Sequence, residues 1–244
     1  MPIHIDRDRG TTLHYEHAGE GFPLLLLPPG GLTADIAYWQ RVAFNAFEIF
    51  QRGFHAIGVD ERHAGRSSGP IELDDPWGAY ARDHLGLMNH LGIERFHVLG
   101  SCIGCSHALR LIQLAPERVV SAVLVQPTGI DEESKKVLHG SREGWEQEML
   151  AKRPELDRKQ VAAFGEKVWT GEFVLSVTRD WVKTCPVPLL VLPGVDAGHP
   201  NAIGKEVAAL APRAEVLEPW KTPLTLIPST IQRIRTFLDK QTPL

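Results

Sequence analysis

Of the 244 residues, one short stretch gathers groups able to make and break covalent bonds: Leu99-Gly-Ser-Cys-Ile-Gly104. An apolar run passes there into a helical pattern through Gly-x-Cys-x-Gly. A turn of this kind strains its central residue, and the flanking glycines leave room for crowded backbone. Cys102 would then stand above a strand end and at the amino end of a helix. The partial positive charge at that end favours thiolate over thiol. The backbone N–H of Ile103, at the same helix end, is a donor for a developing oxyanion. Such a group attacks an activated carbonyl and passes through an acyl-thioester. Taken alone, the same residues also fit a small packing cysteine between two glycines.

The rest of the chain must hold that turn. Hydrophobic residues make up 43% and charged residues 23%, which excludes collagen-like, coiled-coil and disordered classes. Lys plus Arg number 26 against 30 Asp plus Glu, a net charge of −4, so no basic surplus calls for nucleic acid. Three cysteines, Cys102, Cys105 and Cys185, form an odd set in a chain large enough to fold without bridges. A reducing, cytoplasmic setting is expected. The polar N-terminus does not read as a signal peptide, and the longest apolar run, residues 24–27, is too short to span a bilayer.

Short apolar runs alternate with helical spacing, the pattern of a mostly parallel sheet with crossover helices. Strands are expected at 3–5, 12–17, 23–27, 55–59, 96–99, 119–125, 187–192 and 214–217. Helices are expected at 36–50, 76–91, from the Gly-x-Cys-x-Gly turn to about Leu114, at 202–211 and at 225–238. Residues 131–184 carry more charge, include Trp145, Trp169 and Trp181, and show no strand pattern. The expectation is one α/β domain over 1–244, with 131–184 inserted as helices over the carboxyl edge of the sheet.

Four segments in this order resemble the α/β-hydrolase superfamily. Leu25-Leu-Leu-Pro-Pro-Gly-Gly31 is similar to its first buried strand and oxyanion loop, and Asp60-Glu-Arg-His-Ala-Gly-Arg-Ser67 to its Asp-x-Arg-Gly-x-Gly-x-Ser turn. The Cys102 elbow followed by Ala115-Pro-Glu-Arg118 matches a third segment, and Pro188 to Asp196 resembles the strand that delivers the acid. The resemblance implies an α/β-hydrolase fold, a mostly parallel central sheet flanked by helices, with 131–184 as a helical lid. It also implies a nucleophile at Cys102, where most members carry Ser. Cysteine suits cleavage or transfer of ester, thioester and lactone acyl groups.

The resemblance places a catalytic histidine in the loop after the last strand. Here that loop is Glu218-Pro-Trp-Lys-Thr-Pro223, and no histidine follows His199. Trp220 is a candidate to fill the vacated space. His4, His14 and His17 fall on the first strands and read as surface or edge residues. His55 and His97 read as strand-interior residues, His84, His90 and His107 as helical, and His139 as part of the insertion. Two others lie at the carboxyl edge of the sheet, where the elbow opens. His199, three residues after Asp196, is either the base or a helix-entry residue beside Pro200. His63 is the alternative base or a loop side chain. Asp196 would orient an imidazole or cap the helix that follows. Gly198 would let the loop turn sharply enough for Asp196 and His199 to converge.

Pro28 and Pro29 have no N–H, so the first donors of the oxyanion loop are Gly30 and Gly31, which with Ile103 would form the oxyanion hole. Cys105 is either a resolving thiol or a packing residue. No metal-ligand spacing or phosphate-binding loop is present, and no cofactor is expected. Trp145, Phe164, Trp169, Phe173 and Trp181 either glue the insertion to the body or line a substrate wall. The partner expected is a small-molecule carbonyl compound, with no nucleic acid or membrane; a homo-oligomer is compatible with the sequence. Two function classes follow. One is a cysteine hydrolase or acyltransferase with a Cys102–His199–Asp196 constellation: an esterase, thioesterase or lactonase. The other is a non-catalytic ligand-binding protein on the same scaffold. A lyase or isomerase using the same pocket is a third reading, because fold does not fix reaction.

Overall fold

The structure is a computed structural model and describes residues 2–243. Strands β1 (Ile3–Asp6), β2 (Thr11–Ala18), β3 (Phe22–Leu27), β4 (Phe54–Val59), β5 (Phe96–Ser101), β6 (Val119–Val125), β7 (Leu189–Leu192) and β8 (Ala214–Val216) form a single sheet in the order β1-β2-β4-β3-β5-β6-β7-β8. β1 and β2 pair antiparallel to each other, and β2 pairs antiparallel to β4. From β4 through β3 to β8 every neighbouring pair is parallel. The protein therefore has the α/β-hydrolase architecture that the segment order implies, with helices α1 (Ala46–Phe50), α2 (Pro76–His90), α3 (Ile103–Leu114), α7 (Asn201–Leu210) and α8 (Ile227–Gln241) around the sheet.

The central strands read as unbroken apolar runs because both faces are covered. Leu25 and Leu27 of β3, Val98 of β5, Ala122 and Leu124 of β6, and Leu189 and Val191 of β7 pack into one core layer with residues of α2, α3 and α7. Their alternate neighbours Leu24, Leu26, Leu99, Val123, Val125, Leu190 and Leu192 pack into the opposite layer with α1 and α8. The period-two side-chain alternation of a strand divides one sequence run between two cores.

Residues 131–184 contain α4 (Ser134–Lys152), α5 (Arg158–Trp169) and α6 (Arg179–Val182), with no strand. Leu138, Trp145, Met149, Val161, Phe164, Val168 and Trp169 of α4 and α5 form a third apolar cluster with Leu32, Trp77, Tyr80 and Ile103. These helices thus pack over the end of the sheet that carries Cys102, which itself rests against the cluster.

At the 36–50 helix and at His14 the structure differs from expectation. The helical spacing over 36–50 resolves into a 3-10 segment, Ile36–Arg41, and the short α1, because two capping side chains start two separate turns. The Asp35 carboxylate accepts from the Tyr38 amide, and the Asn45 side chain accepts from the Glu48 amide. His14, expected at a surface or edge, is buried. β1 and β4 flank its strand, and its amide donates to Ser67 Oγ at 2.9 Å.

Candidate active site

Cys102 stands between β5 and α3 with φ 56° and ψ −119°, a conformation that an L-residue reaches only under constraint. The constraint is visible on both sides. A methyl group on Gly100 would lie 2.2 Å from the Gly104 carbonyl oxygen, and one on Gly104 would lie 2.2 Å from the Leu27 carbonyl oxygen. The two glycines are therefore required by close backbone approach, which seats the start of α3 directly on the end of β3. The Cys102 amide donates to the Val125 carbonyl at 3.0 Å. The thiol is half-buried. Cys105, one turn on, is fully buried, with its sulfur against the Gly100 and Val125 carbonyls at 3.2 and 3.4 Å. It packs beneath the elbow.

The loop after β7 brings Asp196 and His199 together. The His199 amide donates to the Asp196 carbonyl at 3.0 Å, closing a tight turn, and His199 Nδ1 lies 2.6 Å from Asp196 Oδ1. Gly194, and not Gly198, is the glycine this turn requires. A methyl on Gly194 would meet the His199 carbonyl oxygen at 2.2 Å, whereas one on Gly198 would meet only ordinary contacts from 3.6 Å. Thr128 Oγ1 donates to the Gly198 carbonyl at 2.8 Å and ties the turn to the segment after β6.

With Nδ1 engaged by Asp196, Nε2 is the nitrogen left for Cys102. It is shielded from solvent and has no other hydrogen-bond partner among the described residues. Burial alone would lower the imidazole. Hydrogen bonding and charge interaction with Cys102, followed by those with Asp196, outweigh burial and raise His199 to about 9. His199 is thus hydrogen-bonded to Asp196 and interacts with Cys102.

Gly30 and Gly31 both have positive φ, 126° and 64°. A methyl on Gly30 would stand 2.7 Å from the Tyr38 ring, and one on Gly31 would stand 3.3 Å from the Trp169 ring. The loop is thus pressed between the body and α5. As the first residue of α3, Ile103 has an amide without an intrahelical acceptor.

Residues 23–191 match the family described as the alpha/beta hydrolase fold. The chain belongs to that family. A 2-hydroxy-6-oxo-6-phenylhexa-2,4-dienoate hydrolase of Comamonas testosteroni is 33% identical over 119 residues, 48% of this chain and 41% of that protein. An N-formylmaleamate deformylase of Pseudomonas putida is 26% identical over 75% of this chain and 65% of its own length. The chain thus spans about two-fifths to two-thirds of these curated relatives. Among solved structures, a hydrolase from Pseudomonas aeruginosa superposes with TM-score 0.71 at 20% identity, covering 97% of each chain. A meta-cleavage product hydrolase from Pseudomonas fluorescens superposes with TM-score 0.68 at 19% identity, covering 96% of each chain. At these identities the structural likeness concerns the fold.

In this member of the alpha/beta hydrolase family, His63, His97 and His107 are held in other surroundings. His63, the alternative base, has φ 70° and sits edge-on to Phe164 of α5 at 5.4 Å between ring centroids. Both its ring nitrogens are shielded and unpartnered. It borders a separate space of about 40 Å³ with Thr33, Asp35, Trp145 and Lys152 among the lining residues. Burial, then the charges of Arg62 and Arg153, lowers it to about 3. His97 is held between Ser121 Oγ at 2.8 Å and Thr242 Oγ1 at 2.9 Å. His107 is enclosed by the rings of Trp77, Tyr80 and His84. Trp220 is buried against Phe44, and its Nε1 donates to the Pro193 carbonyl at 2.8 Å.

A cavity of about 430 Å³ between α4 and α5 is bordered by Ile130, Leu138 and Trp169, with Lys135, His139 and Arg142 at its outer side. Trp169 stands between this cavity and Gly31. No helix among the described residues is long and apolar enough to cross a membrane. Neither Gly194 nor Thr128 stood out by residue type: Gly194 acts through a backbone approach to His199 that spacing does not reveal, and Thr128 through Gly198, 70 residues away.

Proposed function

We propose that this chain is a cysteine hydrolase acting on a carboxylic ester, thioester or lactone, with Cys102 as nucleophile, His199 as base and Asp196 as the group that orients the base. One observation carries the reading: His199 Nδ1 lies 2.6 Å from Asp196 Oδ1 while its Nε2 is shielded and has no other partner, and Cys102 and Asp196 together raise the imidazole to about 9 against the effect of burial. A base that takes the proton of a thiol and later returns it must have such partners on its two nitrogens.

His199 Nε2 holds the thiol proton as an imidazolium, and Sγ, as thiolate, forms a bond to the carbonyl carbon. The oxygen becomes an oxyanion within reach of the Ile103 amide and of the Gly30 or Gly31 amide. Collapse of this intermediate expels the alcohol or thiol, which takes the proton from His199. The acyl group is then on sulfur. A water molecule, deprotonated by His199, attacks the thioester; the acid leaves and the thiol regains its proton. An amine, alcohol or thiol in place of water would give acyl transfer. The relatives' names add an oxo-dienoate and a formyl amide to the carbonyl compounds worth offering as substrates.

The test is p-nitrophenyl acetate followed by mass spectrometry of the Cys102 peptide. A burst of p-nitrophenolate with an acetyl adduct on Cys102, both abolished in Cys102→Ala, is the expected result. No adduct with this ester or with iodoacetamide would overturn the reading and leave the scaffold as a ligand-binding one.

A further inference from the structure

The loop between β8 and α8 carries no imidazole to the site, but it does carry a cation. Lys221 Nζ donates to Gln126 Oε1 at 2.6 Å and lies 3.9 Å from Asp196 Oδ2. The same ammonium stands 5.1 Å from the centre of the Trp220 ring. Each of these neighbours is itself fixed. Gln126 directly follows β6, beside the carbonyl that receives the Cys102 amide, and its own amide donates to the Leu192 carbonyl at 2.7 Å. Trp220 is held through Pro193, and its carbonyl accepts from Thr230 Oγ1 at 2.6 Å. The lysine side chain is only 19% exposed, whereas that of Asp196 is 50% exposed.

The Asp196 carboxylate is therefore shared between two cationic partners. Oδ1 receives His199 Nδ1 and the Gly198 amide, and Oδ2 faces Lys221. The other charged groups around this loop are engaged elsewhere. Glu218 lies 2.9 Å from Lys205 and 2.9 Å from Asn201 Nδ2. Asp131 and Glu133 border the same surface depression as Asp196, and the Asp131 carboxylate accepts from the Glu133 and Ser134 amides. On the elbow side His199 meets Cys102.

We propose that Lys221 is a positioning residue for the reaction: it fixes the half-exposed Asp196 carboxylate and limits how tightly that carboxylate holds the proton on His199. The inference rests on the reading of Cys102, His199 and Asp196 given above. A cation beside Oδ2 takes up part of the carboxylate's field, so the imidazolium releases its proton more readily to a leaving group. Without the cation, the whole charge acts on the imidazolium, and the proton is held to higher pH.

The experiment is the rate of Cys102 alkylation by iodoacetamide as a function of pH, in wild type, Lys221→Met, Lys221→Gln and Lys221→Arg. The upper inflection, where the imidazolium loses its proton, is expected near 9 in wild type. It should rise by roughly half a pH unit in Lys221→Met, the size that a partly exposed ion pair supports. Lys221→Gln, which keeps a donor for Gln126, should behave like Lys221→Met, and Lys221→Arg should restore the wild-type value. An unchanged upper inflection in Lys221→Met, or the same rise in Lys221→Arg, overturns the role of Lys221 and leaves the Cys102–His199 pair standing. A wild-type profile with one inflection, that of a lone thiol, removes the pair itself and the inference with it.

Discussion

Gly194 and His199 approach so closely that a methyl group on the glycine would stand 2.4 Å from the histidine Cβ and 2.2 Å from its carbonyl oxygen. The backbone of a residue five positions upstream thus sets where the imidazole stands. Gly194→Ala should push His199 away from Cys102, with a cost of about 1–3 kcal/mol typical of overpacking. Turnover of an activated ester should fall roughly tenfold or more, while the fold, anchored by layers on both faces of the sheet, persists. Steady-state kinetics beside a thermal unfolding curve checks this. Undiminished turnover in a folded variant would show that the tight turn does not position the base.

His199 and His63 differ in what surrounds their rings, and the two can be told apart by thiol reactivity. His199→Ala removes the partner whose charge interacts with Cys102. Alkylation of Cys102 near neutral pH should then slow, and ester turnover should fall by about 10²–10⁴, the usual worth of a general base. His63→Asn should leave the alkylation profile in place, since His63 borders a different space under α4. A shift of that profile in His63→Asn alone would reverse the assignment.

Acid should weaken the fold through buried imidazoles. Burial lowers His63 to about 3, and His97 and His107 to about 4, from an ordinary 6.5. Between those values and 6.5 the unfolded chain binds protons that the folded chain refuses. The contribution of these three groups is therefore intact above about pH 6.5 and is lost as pH falls through the window, by up to about 1.4 kcal/mol per unit for each group. Urea unfolding at pH 7.5 and pH 5 measures the loss. His107→Phe, which keeps a ring against Tyr80 and Trp77, should lessen it. Equal midpoints at the two pH values would contradict the account.

Much of this was legible in residue order, because local rules and tertiary demands coincide there. Leu24 to Leu27 form a continuous apolar run since both faces of β3 are covered. Gly100 and Gly104 mark the elbow because only glycine tolerates the approach of α3 to β3. The break in the 36–50 pattern was written in Asp35 and Asn45, which start turns, but apolar spacing alone conceals a capping residue inside an otherwise helical run.

What the sequence determined by itself is the scaffold and the sulfur: alternating patterns fix strand and helix identity, and a strained strand-to-helix turn fixes where Cys102 stands. What only the tertiary structure decided is the company that sulfur keeps. The imidazole, its carboxylate and the lysine beside them come from loops about 95 and 119 residues downstream of the elbow, a count that itself carries no distance information. Packing of β7 and β8 beside β6 brings those loops to one edge. Only there do burial and charge give His199 a proton affinity that its spacing from Asp196 could not reveal.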